Sequence, residues 1–340
     1  MLSRVAENLF WIARSVERAD NVARLIDTAR RMVTLPNKTG RDLSNEWSSI
    51  LIAAGASTTF QGDLDGATRE QTIEHLVADP TNPSSIYNSI KNARENARAI
   101  RFGLTSEVWS SLNTAWNELP HQIASLRARK SYLADFVDWV KTTQAQYRGS
   151  VEGTMVRDDS LEFLRLGSHI ERADATARIL DVKYHVLLPS LGEIGGTLDQ
   201  YQWVSLLQAV GVQRAYHFVT RSDVSRKGVA SFLIQNEFNP RSMAYCTFRL
   251  VSSLEALGQI YGKEPPATQT ARNTLQALRT VDIDAVLDKG LHEYLTDFIV
   301  GNAGLAGGIA HDFAFVPSDP VPAYEPPEEK VGRQTQTQTS

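Results

Sequence analysis

The chain has 340 residues, 42% of them hydrophobic and 22% charged, with a formal net charge of −4. That length supplies a core without disulfide or metal staples, and the composition excludes collagen-like and wholly disordered classes. The mildly acidic balance argues against a dedicated nucleic-acid binder, and a single cysteine, Cys246, excludes a disulfide framework or multi-cysteine zinc site and suits a reducing, cytoplasmic setting.

The first predicted element is a long helix over residues 2–34, because Val5, Leu9, Ile12, Val16, Ala19, Ala23 and Ile26 recur at steps of three and four. Ser3 is a suitable N-cap and Pro36 a stop. Arg4, Glu7, Arg14 and Glu17 break up what a signal peptide would need as an apolar run. Helical spacing continues at roughly 43–60, 68–78, 84–102, 105–128 and 131–148, with turns at Asp79-Pro80 and Asn82-Pro83. Asp159 with Glu162 reads as a capping box opening a second long helix that ends near Pro189, before a Gly-rich turn at 192–196. Segments at 199–220, 224–236, 240–261, 267–280 and 284–312 are helical by the same criteria, and no segment carries a strand or hairpin signal. The longest uncharged runs, 47–62 and 298–310, are too short or too polar to span a bilayer. From about Pro317 the Pro, Glu, Gln and Thr composition cannot bury enough apolar area to offset ordering entropy, which predicts a disordered tail over 317–340.

Residues 16–27, VERADNVARLID, match 170–181, IERADATARILD, at seven of twelve positions with a constant offset of 154. The apolar frame recurs as well. The expectation is an all-α multi-helix bundle of residues 1–316 built from two related halves, 1–150 and 151–316, with the two matching helices packed together around a pseudo-twofold axis. On a helix, Glu17, Asp20, Arg24 and Asp27 share one flank, as do Glu171, Asp174, Arg178 and Asp181, while Arg18 and Arg172 fall on the far side. Two readings stand: solvent-exposed i,i+4 ion pairs at Asp20/Arg24 and Asp174/Arg178, or a polar groove between helices lined by acid and arginine.

The opening MLSRVAENLFWIARSVERADNVARLID, with ARENARAIR at 93–101, EVWSSLN at 107–113, IERAD at 170–174 and FLIQNEFNPRSMAYC at 232–246, resembles the bacterial alpha-E family, a predicted-helical family with a Glu-Arg motif. Pro240-Arg241-Ser242 reads as a diverged counterpart of the doubled Ala-Arg in the first half. The resemblance implies a setting: such proteins are encoded beside, or fused to, circularly permuted ATP-grasp proteins and transglutaminase-like proteins, which make and process peptide or amide bonds.

Recognised catalytic machinery is missing from the sequence. No Gly-Lys-Ser/Thr phosphate loop follows a strand, and the seven histidines include no i,i+4 pair, so no metal or cofactor is expected. His169, which stands where the first repeat has Ser15, reads as a partly buried or surface histidine, and Cys246 as a buried structural thiol. Gly301, Gly304, Gly307 and Gly308 read as sites of close helix packing. Arg94, Arg98 and Arg101 form a basic stripe, either a solvated face or, with Arg241 and the repeat glutamates, a pocket for an anionic ligand or an anchor for a partner. The leading reading is an accessory helical protein binding the ATP-grasp ligase or its peptide substrate through Arg18, Asp20, Arg24, Arg94, Arg98, Arg172, Asp174, Arg178 and Arg241. The alternative is an enzyme in which Glu17 or Glu171 acts as general acid or base for amide formation or transfer, with Arg18, Arg24, Arg172 or Arg178 stabilising oxyanionic charge.

Overall fold

The computed structural model describes residues 1–33, 44–187 and 197–315. Pro36, Pro189, the turn at 192–196 and the tail at 317–340 lie outside them. Among the described residues there are fourteen α-helices and no strand: α1 (Ser3–Val33), α2 (Ser44–Ala53), α3 (Arg69–Val77), α4 (Ile86–Ala99), α5 (Ser106–Ala128), α6 (Leu133–Thr154), α7 (Asp159–Leu187), α8 (Thr197–Val210), α9 (Gln213–Thr220), α10 (Arg226–Ile234), α11 (Met243–Tyr261), α12 (Ala267–Thr280), α13 (Ile283–Lys289) and α14 (Leu291–Asp312). The segment expected at 43–60 stops at Ala53, and those at 199–220 and 284–312 each divide in two. The interruptions coincide with Gly55, Gly211 and Gly290, all at positive φ (66°, 81° and 137°). Such a residue cannot continue a right-handed helix.

The centre is the pair α1 and α7. They run parallel, as the order of their contacts shows: Phe10 meets Gly167, Arg14 meets Glu171, and Glu17 meets Arg172. The crossing is close because position 167 lacks a side chain; a Cβ there would collide with the carbonyl oxygen of Phe10. Around this pair the remaining helices wrap in matching roles. α1 packs on α4 and α6, and α7 on α11 and α14, while α2 lies against α7 and α8 against α1. A helix surrounded in this way has little solvent side. From Ile12 to Ala29 every residue is buried except Arg14 and Arg18, which are half-buried.

Local chemistry sets several helix starts. Thr68 and Gln71 form a reciprocal capping box on α3, and Ser85 and Ser242 accept from the N3 amides of α4 and α11. The box expected from Asp159 and Glu162 does not form. Asp158 accepts from Ser160 N at 3.0 Å, while Asp159 takes the Tyr261 hydroxyl and Glu162 takes Arg165 and Ser253.

The loops before α4 and α11 share one construction. Asn82 donates to the His75 carbonyl and accepts from Ser84 N; Asn239 donates to the Phe232 carbonyl and accepts from Arg241 N. Asn239-Pro240-Arg241-Ser242 therefore corresponds to Asn82-Pro83-Ser84-Ser85, not to the Ala-Arg element of α4. The glycines of α14 also differ from expectation: Gly301, Gly304 and Gly307 have open space where a Cβ would stand, and Gly308 has only the Ala267 methyl at 3.8 Å, so they are not close-packing sites.

Candidate functional site: the charged seam between α1 and α7

Parallel packing at near-equal register brings Glu17-Arg18 of α1 beside Glu171-Arg172 of α7, and the two dipeptides pair crosswise. Arg18 donates through Nε and Nη2 to the two oxygens of Glu171, at 2.6 and 2.9 Å, and Arg172 donates through Nε and Nη2 to Glu17. Arg14 adds a 2.9 Å bond to Glu171, and Gln144 of α6 adds a 2.8 Å bond to Glu17. Arg18 and Arg172 are thus in the seam, contrary to the single-helix projection, because the neighbours of α1 and α7 leave no far side. Planar guanidinium forks suit this work: each matches both oxygens of a carboxylate.

The next turn repeats the reciprocity. Arg24 bonds Asp20 at 2.8 Å and places Nη1 2.8 and 3.0 Å from the carbonyls of Ala209 and Val210, at the end of α8. Arg178 bonds Asp174 at 2.5 Å and donates to the Ala53 carbonyl, at the end of α2. Arg24 therefore caps α8 and Arg178 caps α2, where terminal carbonyls lack intrahelical donors. Both i,i+4 pairs expected from sequence are present, but in the interior and not on a solvated face. One turn further on, Asp27 takes Lys141 of α6 at 2.8 Å, and Asp181 takes His292 of α14 at 2.7 Å. The Asp181 contact holds the His292 pKa above its ordinary value, outweighing burial.

The electrostatics favour fixed ionisation. Burial pushes the Glu171 pKa up, but Arg18 and Arg14 outweigh it by charge and hydrogen bonding and leave the carboxyl at about 2. Asp20, fully buried, is held well below the carboxylate range because Arg24 and Arg241 outweigh its desolvation. Beside the seam, burial and the Arg172 charge depress His169 to about 3, and its Nδ1 bonds the Arg165 carbonyl at 2.8 Å, so it is a neutral imidazole. Burial pushes the Cys246 thiol up to about 12, which makes it an inert core group.

Of the residues singled out in the sequence, Glu17, Arg18, Asp20, Arg24, Glu171, Arg172, Asp174, Arg178 and Arg241 converge on this seam. Arg241 reaches Asp20 at 2.9 Å. Arg94 and Arg98 do not join them. Arg94 bonds Asn113 of α5 at 3.2 Å and lies over Trp116, and Arg98 is exposed. Arg14, Gln144, Lys141 and His292 belong to the seam but carry no repeat signature, since Arg14 stands opposite Ser168 in the repeat and the other three are single polar groups on helices whose faces the sequence does not pair.

A second feature is a cleft of about 670 Å³ beside α3, lined by Phe60, Ile73, His75, Leu126, Arg127 and Lys130 among others. His75 is buried, with Nδ1 2.7 Å from Asp79 and Nε2 3.1 Å from Thr59 Oγ1 and 3.2 Å from the Ala56 carbonyl. The rim cations Arg127 and Lys130 are paired with Glu74 and Glu70. A His-Asp pair at i,i+4 was the available sequence signal. Among the described residues, no group of three or more His, Cys, Asp or Glu could hold a metal ion, and no helix is long and apolar enough to cross a membrane.

The class of protein is thus an all-α bundle organised on two crossed Glu-Arg dipeptides. The chain belongs to the Alpha-E family, described as a predicted alpha-helical domain with a conserved ER motif, whose pattern matches residues 1–314. It is similar to uncharacterized proteins of Mycobacterium bovis and Mycobacterium tuberculosis, each 24% identical over 314 residues that cover 88% of this chain and 35% of the relative. The chain thus spans about a third of the length of these curated relatives. No solved structure matches it.

Proposed function

We propose that this chain is a noncatalytic accessory protein of a peptide- or amide-bond-forming system, holding a circularly permuted ATP-grasp ligase or its peptide substrate, with a transglutaminase-like protein in the same system. The observation that carries the noncatalytic part is the closure of the repeat charges. Glu17 and Glu171 each spend both oxygens on arginines of the opposite helix. The Glu171 carboxyl, at about 2 and accepting three hydrogen bonds, is poorly matched to proton transfer near neutral pH, where an acid or base works best with a pKa close to the ambient value. The arginines are equally committed, so they are not aimed at a developing oxyanion. The same reading treats the chain as a duplicated unit. The crossed Glu-Arg pairs, the exchanged helix caps and the paired Asn-Pro loops support it, because each of these three arrangements occurs twice.

The test is purification of the tagged chain from the organism that encodes it, with an untagged control. Enrichment of an ATP-grasp-type protein is the expected result. Enrichment of neither an ATP-grasp-type nor a transglutaminase-like protein overturns the reading.

A further inference from the structure

The accessory role requires a docking face, and the bundle end where α1 and α7 begin has the chemistry of one. Its parts are tied together by direct contacts. The Met1 amino group lies 3.5 Å from the Asp159 carboxylate, the Tyr261 hydroxyl donates to the same carboxylate at 2.7 Å, and the Thr105 and Thr154 hydroxyls are 2.6 Å apart. This joins the starts of α1, α5 and α7 to the ends of α4, α6 and α11. On that end stand Leu2, Phe102, Val156, Ile260 and Tyr261, with exposures of 78, 106, 71, 50 and 41%. Among the described residues nothing covers these large apolar groups, and apolar groups left in water at one end of a domain mark interaction sites. Arg4, Arg98 and Arg101 are exposed at the same end, and no ion pair involves them among the described residues.

The position of the chain's ends says what covers the patch. The family match runs from residue 1 to 314, and both limits lie here: Met1 by its contact with Asp159, and Phe313 by its rings' contacts with Phe163 at 4.9 Å and Tyr261 at 6.3 Å. Any chain joined to either limit emerges at this face. In the mycobacterial relatives the matched region is only 35% of the protein, so the larger remainder is tethered at the corresponding end.

We propose that this bundle end docks a folded protein similar to the relatives' additional region, which presents an apolar patch edged with carboxylates. Phe102, Val156 and Leu2 enter the apolar patch, and Arg98 and Arg101 meet the carboxylates. The proposal rests on the accessory role and assigns it a surface.

The experiment places a photoreactive phenylalanine analogue at 102, 156 or 238 of the full chain in its native host and identifies the crosslinked products by mass spectrometry. Phe238, 89% exposed in the loop before α11, is the control remote from this end. Positions 102 and 156 are expected to capture a protein similar to the relatives' additional region, and position 238 is not. Capture from 238 at equal yield, capture of a second copy of this chain or of lipid, or no product each overturns the proposal. In parallel, Phe102→Asp with Val156→Asp should leave the melting temperature unchanged and reduce the copurified partner at least ten-fold. If wild type brings down the partner and this variant does so equally, the face is wrong while the accessory role stands. If wild type brings down no such partner, the accessory role itself fails.

Discussion

α1 and α7 carry the same charges in the same order, yet they are neutralised unequally. Glu171 has two arginines, Arg14 and Arg18, whose side chains are 19 and 18% exposed, whereas Glu17 has one arginine, Arg172, that is 5% exposed, and an amide from Gln144. Asp20 has Arg241 in addition to Arg24, whereas the position equivalent to Arg241 in the other half is Ser84 and Asp174 has Arg178 of its own helix. The crossed Arg18–Glu171 and Arg172–Glu17 pairs are kept on both sides, because they fix the crossing of α1 and α7. The additional partners Arg14, Gln144 and Arg241 have no counterparts, so α1 and α7 share a frame without sharing an electrostatic environment.

The sharpest way to break this comparison is to remove one carboxylate at a time. Glu17→Gln leaves Arg172 charged in the interior, at an expected cost of about 3–5 kcal/mol in denaturant unfolding. Glu171→Gln frees Arg14 and Arg18, which can turn toward water, and should cost about 2 kcal/mol. Equal losses would mean that the seam is hydrated alike on both sides. A Glu17→Gln/Arg172→Gln double variant should recover much of the first loss, since no unpaired charge remains.

Gly167 and its counterpart Ala13 give the next contrast. Gly167→Ala drives a methyl into the Phe10 carbonyl and should destabilise by about 1–3 kcal/mol, while Ala13→Gly should lose about 1 kcal/mol through helix entropy. A Gly167→Ala variant with an unchanged melting temperature would show that the two helices can separate slightly at no cost.

His169 against Ser15 sharpens the comparison in pH. The folded imidazole takes a proton only near pH 3, while the unfolded one takes it near 6.5, so stability is full above about 6.5 and falls as pH drops toward 3. The slope approaches about 1.4 kcal/mol per pH unit once the unfolded histidine is protonated. His169→Ser, which copies Ser15, should flatten the curve between pH 6 and 5, where Glu171 does not yet contribute because its own loss begins below about 4.5. An unchanged curve would mean that His169 is accessible to protons in the folded state.

The smallest effect separates the seam from the outer face. Arg98→Ala on α4 should change stability by less than about 0.5 kcal/mol, because the residue is solvated and makes no ion pair among the described residues. A larger loss would place it in a network that the folded chain closes.

Much of this molecule was legible in the amino-acid order. The three-and-four periodicity located the helical segments, and the repeated ERAD words singled out α1 and α7 and named most of the charges that meet between them. Local signals could do this because helix formation and capping depend on neighbours in sequence. What periodicity could not supply was the surroundings of each helix. It put Arg18 and Arg172 away from the seam, whereas both reach the carboxylate of the opposite helix, and it took the glycines of α14 for packing sites although open space faces three of them. The partners Arg14, Gln144, Lys141 and His292, the helix caps supplied by Arg24 and Arg178, and the apolar bundle end arise from contacts between residues distant in sequence, and no residue's neighbours along the chain encode them. Sequence by itself determined that the chain is helical and which two helices carry the same charged pattern. The tertiary packing decided that their charges are buried, crossed and closed, because only the enclosing helices remove the water that would otherwise have solvated them.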